Sequence, residues 1–511
     1  MIWTPQDIQQ FTARHFSEAK ATEELMVFRR GIPKIQLERA ATLGDGIVSL
    51  KPREERMLVA YFEERQQQYS MVKFVPASGA ATRMFKPLLA FLEASQLPDF
   101  SFATYLQEHP QVSEFIKEAH KFPFHSLLID LLPAGFSLES ASTVILYLKT
   151  LLELPGLGFG SKPKALLPFH QVKGQTILVL EEHIQEAFSY AVKDRVAHLH
   201  FTVSEQHLSG FKKAIGEIEA AGTFKSAGSF KITFSHQNPQ TDTLVLSLDQ
   251  QPIRDVANAL VFHPAGHGAL LENLAAQEAD IIFIKNVDNV GGVFGLEESL
   301  YYKKVLGGKL LDVQEQLYAY AKALDEEVLE AEDIAFMCQY YQQTFSLELP
   351  EYFEEMLLEE QIIFLRETFN RPLRVCGMVA NEGKVGGGPF WIKNAIGEVS
   401  LQIVEATQMT LKDPQQQEIF ENATHFNPVD LVCSFKNYKG GSFNLNEFKD
   451  PSLSLIAEKT RGGKRVKVLE LPGLWNGSMA GWNTIFIAVP SASFTPVKTV
   501  TDLLDVGHLG Q

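Results

Sequence analysis

Three short segments carry side chains suited to a polyphosphate. The first is Ser78-Gly79-Ala80-Ala81-Thr82-Arg83-Met84-Phe85-Lys86. Its small residues let backbone N–H groups approach an anion, a helix start adds partial positive charge, and Arg83 and Lys86 add full charges. The second is Gly158-Phe159-Gly160-Ser161-Lys162-Pro163-Lys164, a glycine loop that delivers two lysines to a Pro-bounded turn. The third is Asn286-Val287-Asp288-Asn289-Val290-Gly291-Gly292, where Asp288 is flanked by asparagines and followed by Gly-Gly. An Asp in that setting suits Mg²⁺ and ribose hydroxyls, because Mg²⁺ takes few carboxylates and completes its shell with substrate phosphates. Each segment has a plainer reading as well: a strand-to-helix turn, a loop with solvated lysines, and an Asx turn.

Elements must hold these segments in place. A β-rich run, Met71 to Val75, precedes the first, and an apolar-periodic stretch with Leu88, Leu89, Phe91 and Leu92 follows it as helix. Asp280-Ile281-Ile282-Phe283-Ile284 reads as a buried strand that ends at the Asp288 segment. In open α/β sheets the ligand crevice lies at such carboxyl ends. Strand-like runs at 198–203 and 230–235, with a helical stretch around 209–221 between them, predict an α/β fold. The sheet is expected to be mixed but mostly parallel, flanked by helices. Residues 1–70 read as a helical N-terminal region, with Pro52 in a first-turn position. Residues 71–311 read as a nucleotide-binding α/β part with a helical insertion at 88–155. An acidic helical insertion follows at 312–370, and 371–511 form a sugar-binding part with a C-terminal segment.

Composition narrows the function. The chain has 511 residues, 45% of them hydrophobic and 21% charged, so a large core over more than one domain is expected. A net charge of −16 argues against a nucleic-acid-binding surface, which needs clustered cations. The three cysteines, Cys338, Cys376 and Cys433, are far apart and make neither a disulfide framework nor a CxxC metal pair. The N-terminal residues do not read as a signal peptide, and no apolar run approaches the ~18 residues of a membrane span. A soluble, cytoplasmic protein without membrane or nucleic-acid partners is expected. His109, His120 and His125 match no metal spacing. His263 and His267 stand four apart, but Pro264 and two glycines prevent the helix that would aim both at one ion.

The order of the segments resembles the nucleotide-diphosphosugar transferase superfamily and, within it, the UDP-glucose and UDP-sugar pyrophosphorylases. Ser78-Gly79-Ala80-Ala81-Thr82-Arg83-Met84 is similar to the first half of their nucleotide loop, and Lys162-Pro163-Lys164-Ala165-Leu166-Leu167-Pro168 to its second half. Pro264-Ala265-Gly266-His267-Gly268 is similar to the turn that faces the base, and Asn286-Val287-Asp288-Asn289-Val290-Gly291 to the segment with the metal aspartate. Val385-Gly386-Gly387, Glu405-Ala406-Thr407-Gln408 and Phe426-Asn427-Pro428-Val429-Asp430-Leu431 with Lys436 resemble sugar-side and phosphate elements. Phe494-Thr495-Pro496-Val497-Lys498, with Asp502-Leu503-Leu504, resembles the terminal one. A bacterial domain-of-unknown-function family placed in this superfamily has the same look. The sequence departs from the pattern in several places. About eighty residues split the nucleotide loop, Ala80-Ala81 stand where the family has Leu-Gly or Gly-Gly, Ala269 stands for an acid, Lys384 is one place off, and Asp430 replaces an amide.

The resemblance implies a Mg²⁺-dependent nucleotidyltransferase that joins a nucleoside triphosphate, by resemblance UTP, to a sugar-1-phosphate. It implies Arg83, Lys86, Lys164, Lys436 and Lys498 for the phosphates and Asp288 for the metal. Ser78, Gly79, Ala80, Gly266, His267, Gly268 and Asn286 would bind the nucleotide, and Gly387, Glu405 and Asn427 the sugar. A non-catalytic sugar-nucleotide sensor on the same fold is the alternative. The split loop carries its own expectation: its two halves must meet in space, and Arg83 and Lys164 should line one pocket with Asp288.

Overall fold

The computed structural model describes residues 3–326, 328–383, 386–394, 397–410 and 412–509, without the side chains of Val293 and Phe294. It divides into two units. The first comprises Met1–Ser70, Gln237–Ile284 and Lys304–Val489; the second comprises Met71–His236, Lys285–Lys303 and Pro490–Gln511. Each unit gathers three separate stretches of chain.

In the first unit, local signals start the helices. Thr4 accepts from Asp7 N, Asp7 accepts from Thr4 N, and Pro5 opens the helix Pro5–Ala13. Glu54 accepts from Lys51 N at 2.7 Å ahead of Pro52–Arg65. Between the helices of the N-terminal seventy residues lie strands Gln36–Ala40, Thr42–Leu43 and Gly46–Val48, which the helical reading of that region lacks. They are too short to show a period in the sequence. Leu373–Ala380 runs parallel to Asn483–Val489 and antiparallel to Asp430–Ser434, and Gly46–Val48 adds in parallel to Asn483–Val489. Two further sheets are wholly antiparallel. One is Gln36–Ala40, Gly388–Lys393 and Val399–Val404; the other is Phe262–His263, Thr243–Leu246, Lys464–Glu470 and Leu455–Arg461.

The sheets are therefore mixed, with parallel and antiparallel pairs side by side. Burial follows the same two-residue period whichever way the neighbouring strand runs, so the sequence pattern carries no direction. The acidic region is helical, as expected, with Ala331–Phe345 and Leu358–Phe369.

In the second unit, Met71–Pro76 lies parallel to Val196–Thr202, and Val196–Thr202 lies parallel to Ser229–Ser235. The helix Leu208–Ala221 joins the latter two, as the sequence predicts, and ends at Gly222 in the left-handed region (φ 69°). The insertion after the first loop folds into short helices around an aromatic core that includes Phe91, Phe115, Phe122, Tyr147 and Leu151. Val290, Val497, Val500 and Leu503 join the same core. That burial brings the C-terminal segment beside the Asp288 loop although about two hundred residues of chain separate them. All three cysteines are free and buried. No helix among the described residues is long and apolar enough to cross a membrane.

Candidate functional site

The two halves of the split loop meet. Ala80 bridges Pro163, and Ala81 N donates to Lys162 O at 2.8 Å. A Cβ at Gly79 would meet nothing within 4 Å, so packing does not demand a glycine there and the backbone stays approachable. Ser78, Gly79, Arg83 and Lys86 are exposed. Arg83 sits on a single turn, Ala81–Arg83, and Lys86 opens the helix Lys86–Ala94.

Lys164, Asp288 and Lys498 come together in this unit. Lys164 Nζ donates to Asp288 Oδ2 at 2.9 Å and to Val497 O at 2.6 Å. Lys498 Nζ donates to Asp288 Oδ1 and Oδ2 at 3.1 and 3.0 Å. The backbone fixes the arrangement: Val497 N donates to Asp288 O at 3.0 Å, and Thr495 N to Asn289 Oδ1 at 3.1 Å. Asp502 accepts from Lys498 N and Thr499 N, capping the turn that carries the lysine. The two ammonium groups differ in freedom. The Lys164 side chain is 13% exposed and Lys498 is 53% exposed, so Lys498 is the one able to move onto an arriving phosphate. Burial raises the Asp288 carboxyl pKa, but Lys498 and Lys164 outweigh it and hold the group below the usual carboxylate range. Burial likewise lowers Lys164, with Asp288 opposing.

Behind these loops lies a buried charge cluster that the sequence reading missed. Lys73 Nζ donates to Glu186 Oε2 at 2.6 Å, and Lys285 Nζ to Glu186 Oε1 at 2.8 Å and to Ser299 Oγ at 3.0 Å. All three ionisable groups are buried. Burial pushes Lys73 down to about 7 despite Glu186. Burial would raise Glu186, but Lys285 and Lys73 win and hold it low. His183, kept neutral by burial, contacts Val287 O through Nε2 at 3.1 Å, one residue before Asp288. The signal was present: a lysine inside the apolar strand Met71–Pro76 requires a buried carboxylate.

The residues expected on the base and sugar sides lie in the first unit. Gly266 has φ +74°, which a side chain tolerates poorly. A Cβ at Gly268 would meet Pro472 O at 2.2 Å, so this glycine serves the approach of the 471–472 backbone and not open space for a ligand. His267 stacks on Trp475 with ring centroids 4.1 Å apart. Leu474 N donates to His267 Nδ1 at 2.9 Å, which leaves the neutral imidazole's proton on Nε2, 3.9 Å from Glu405 Oε1. Burial pushes His267 down to about 4, although 32% of its side chain stays exposed. An NMR titration should therefore find His267 neutral with an Nε2 proton from pH 7 down to about 4. A midpoint near the ordinary value of about 6.5 would contradict the packing of this turn.

Glu405 links the remaining residues. Asn476 Nδ2 donates to its Oε1 at 3.1 Å, and a Cβ at Gly387 would lie 3.6 Å from its Cγ. Asn427 N donates to Gly387 O at 2.8 Å. Among the described residues Asn427 Nδ2 and Asn476 Oδ1 are buried without a partner, a donor and an acceptor in the neighbourhood of Glu405. Lys384 and Val385 lie outside the described residues. Lys436, expected at the phosphates, donates instead to Asp280 Oδ1 at 2.6 Å; a lysine after a strand does not announce its partner. Asn286 is half-buried at the end of Ile281–Lys285, and its O accepts from Asn289 N at 3.2 Å. Trp475 and Asn476 were missed as site residues. Their only signal was a Trp-Asn pair within a glycine-rich segment.

Among the described residues no group of three or more His, Cys, Asp or Glu is placed to hold a metal ion. Asp288 fits the single-carboxylate mode, in which substrate phosphates complete the shell of Mg²⁺. Its two oxygens already face ammonium groups, so a dication competes there with Lys498.

Comparison with known proteins gives one family. The model of the family described as "Domain of unknown function (DUF4301)" matches residues 4–509. No curated protein matched. Among solved structures the chain is similar to the UDP-glucose pyrophosphorylase of Leishmania major, at 13% identity over 98% of this chain and 77% of that one, with a TM-score of 0.43. A variant of that enzyme in complex with UDP-glucose is similar at 13% identity, 98% and 79% coverage and a TM-score of 0.43. The uridine diphosphate N-acetylglucosamine pyrophosphorylase of Trypanosoma brucei, in complex with inhibitor, is similar at 11% identity, 98% and 78% coverage and a TM-score of 0.48. At these identities the likeness is one of chain course, and the chemistry of the site rests on its own residues.

Proposed function

For this chain, which belongs to the DUF4301 family, we propose a nucleotidyltransferase activity. An oxygen of a sugar-1-phosphate attacks the α-phosphorus of a nucleoside triphosphate, UTP by resemblance. The bond to the β-phosphate oxygen breaks, and nucleotide sugar and pyrophosphate are formed. The observation that carries this reading is the Lys164–Asp288–Lys498 group. Two lysines and a carboxylate from three distant segments are held together beside an approachable small-residue loop. Phosphoryl transfer requires positioning and charge neutralisation more than a covalent nucleophile.

Arg83 and Lys86 hold the leaving pyrophosphate. Lys164, pinned by Val497 O, orients the attacking phosphate, and Lys498 transfers from Asp288 to the nucleotide phosphates. Asp288 would hold Mg²⁺, whose chemistry when bound is to neutralise phosphate oxygens. In the second unit Ser78, Gly79, Ala80 and Asn286 line the nucleotide; in the first, the resemblance gives Gly266, Gly268 and the neutral His267, with its Nε2–H, a base-side role. Glu405, Asn427 and Asn476 meet sugar hydroxyls, with Gly387 beside them. Lys436 is left out of the assignment because Asp280 engages it.

A panel of nucleoside triphosphates and sugar-1-phosphates with Mg²⁺, read by pyrophosphate release, tests the proposal. One pair should turn over well above the rest. Binding of nucleotide sugar without turnover by any pair would favour the sensor instead. Within the active pair, Lys498→Ala removes one charge-assisted contact of about 1.5–3 kcal/mol, a loss of roughly ten- to a hundredfold in kcat/KM. Lys498→Arg should rescue poorly, since a planar fork does not replace a point charge. Unchanged kcat/KM in Lys498→Ala would remove the C-terminal segment from the site.

A further inference from the structure

The four-stranded antiparallel sheet of the first unit is covered by helices on one face. Leu244, Leu246 and Leu469 pack there with Phe11, Leu25 and Phe28. Strand alternation sends Val245, Val466 and Val468 to the opposite face. These valines floor an open hollow of about 260 Å³, rimmed by His263, Lys459 and Arg461.

Its charge runs against that of the whole chain. The protein carries −16, yet strand alternation sets Lys459, Arg461 and Lys464 on this face against the single carboxylate Glu470, while Arg465 and Lys467 fall on the other face. Register pairs Lys459 with Val466 and Arg461 with Lys464, which puts these cations on the valine face. An apolar floor under a cationic rim complements an anion that carries an apolar body.

The rim also connects to residues already described. Lys459 Nζ lies 2.5 Å from Glu470 Oε1 and 3.4 Å from His263 Nε2. Glu470 reaches under the Gly266–His267 turn, where a Cβ on Gly266 would lie 3.5 Å from its Oε2. Burial pushes His267 down and Glu405 up, and the Glu470 charge opposes the first shift and adds to the second. Lys459 is thus shared between the hollow and the carboxylate that sets the field at the turn.

We propose that this hollow binds a small organic anion, a phosphate or carboxylate group on a short apolar body, and that binding draws Lys459 from Glu470 and so changes the charge Glu470 presents to His267. The anionic group takes Lys459 and Arg461, and the body lies on Val245, Val466 and Val468. Released from Lys459, Glu470 favours protonation of His267. This site stands apart from the nucleotidyltransferase reading and holds whether or not the chain turns over a nucleotide.

The test uses the full chain with labelled valine methyl groups, titrated with butyl phosphate, butyrate, inorganic phosphate and butanol. Butyl phosphate and butyrate should give saturable shifts at Val245, Val466 and Val468; inorganic phosphate should bind more weakly and butanol not at all. The comparison of the first two identifies the preferred head group. Lys459→Met/Arg461→Met, at accessible positions that leave the core intact, should weaken binding about tenfold or more. The bound ligand should move the His267 titration upward, and Glu470→Gln should abolish that movement while binding persists. The absence of saturable shifts, or equal affinity in the double variant, would overturn the site. Binding that leaves His267 unmoved would overturn its coupling to Glu470.

Discussion

Asp288→Asn should lower turnover by ~10²–10³-fold or more, the scale expected when a group that organises transition-state charge is removed. Mg²⁺-dependent nucleotide binding, read calorimetrically, should be lost in the same variant. The substitution is isosteric, but it is not silent for the fold. Asp288 is 7% exposed and answers two ammonium groups, one of them on the half-buried Lys164. Removing its charge should cost about 1–3 kcal/mol, small enough for the chain to stay folded. The pH dependence has a definite sign. The folded-state pKa of Asp288 is depressed, so its contribution is present above the ordinary carboxylate pKa of about 4 and is lost as pH falls through the lower folded value. Wild type and variant should therefore differ in stability at neutral pH and converge in acid. Full activity in Asp288→Asn would make the aspartate only a counter-ion for two lysines.

Glu186→Gln should be the most destabilising conservative substitution in the second unit. Its carboxylate takes one lysine on each oxygen, and Lys73, Lys285 and Glu186 are all buried. With the charge removed, the lysines have no carboxylate partner, a change that costs about 3–5 kcal/mol in a buried network. Urea denaturation of wild type and variant measures it. The further change Lys73→Met in the Glu186→Gln background should recover part of the loss, because the apolar side chain needs no partner. A loss under ~1 kcal/mol would mean that the lysines are already neutral or find other acceptors. His183 adjoins this cluster and holds Val287 O, so a destabilised variant should also lose order at the Asp288 loop.

Much of the candidate site was legible in the sequence because its segments carry local chemistry. The small-residue loop, the Pro-Lys turn, the Asp after a buried strand and the C-terminal Val-Lys are each short, and their order along the chain suggested common use. The meeting of Ala80 with Pro163 was implied by the resemblance of their segments to two halves of one nucleotide loop. What could not be read is what tertiary packing decides. Lys73 calls for a buried carboxylate but does not say that it is Glu186, more than a hundred residues away, and His267 gives no hint of the Trp475 ring beneath it. Lys436 likewise gives no hint of its partner: resemblance implies a place at the phosphates, and in the structure its ammonium group pairs with Asp280. Strand direction was hidden for a similar reason. Leu373–Ala380 is buried on both faces and pairs parallel on one edge and antiparallel on the other, with no mark of either in its residues.

The bond that breaks is the central claim, and isotopic labels read it directly. If cleavage falls between the α-phosphorus and the β-phosphate oxygen, incubation with an active sugar-1-phosphate carries the label of an α-labelled triphosphate into the nucleotide sugar. The label of a γ-labelled triphosphate appears in pyrophosphate, and both transfers fall together in Asp288→Asn. Release of γ-label as free phosphate, or α-label that stays in the triphosphate with every sugar phosphate offered, would contradict nucleotidyl transfer at this site.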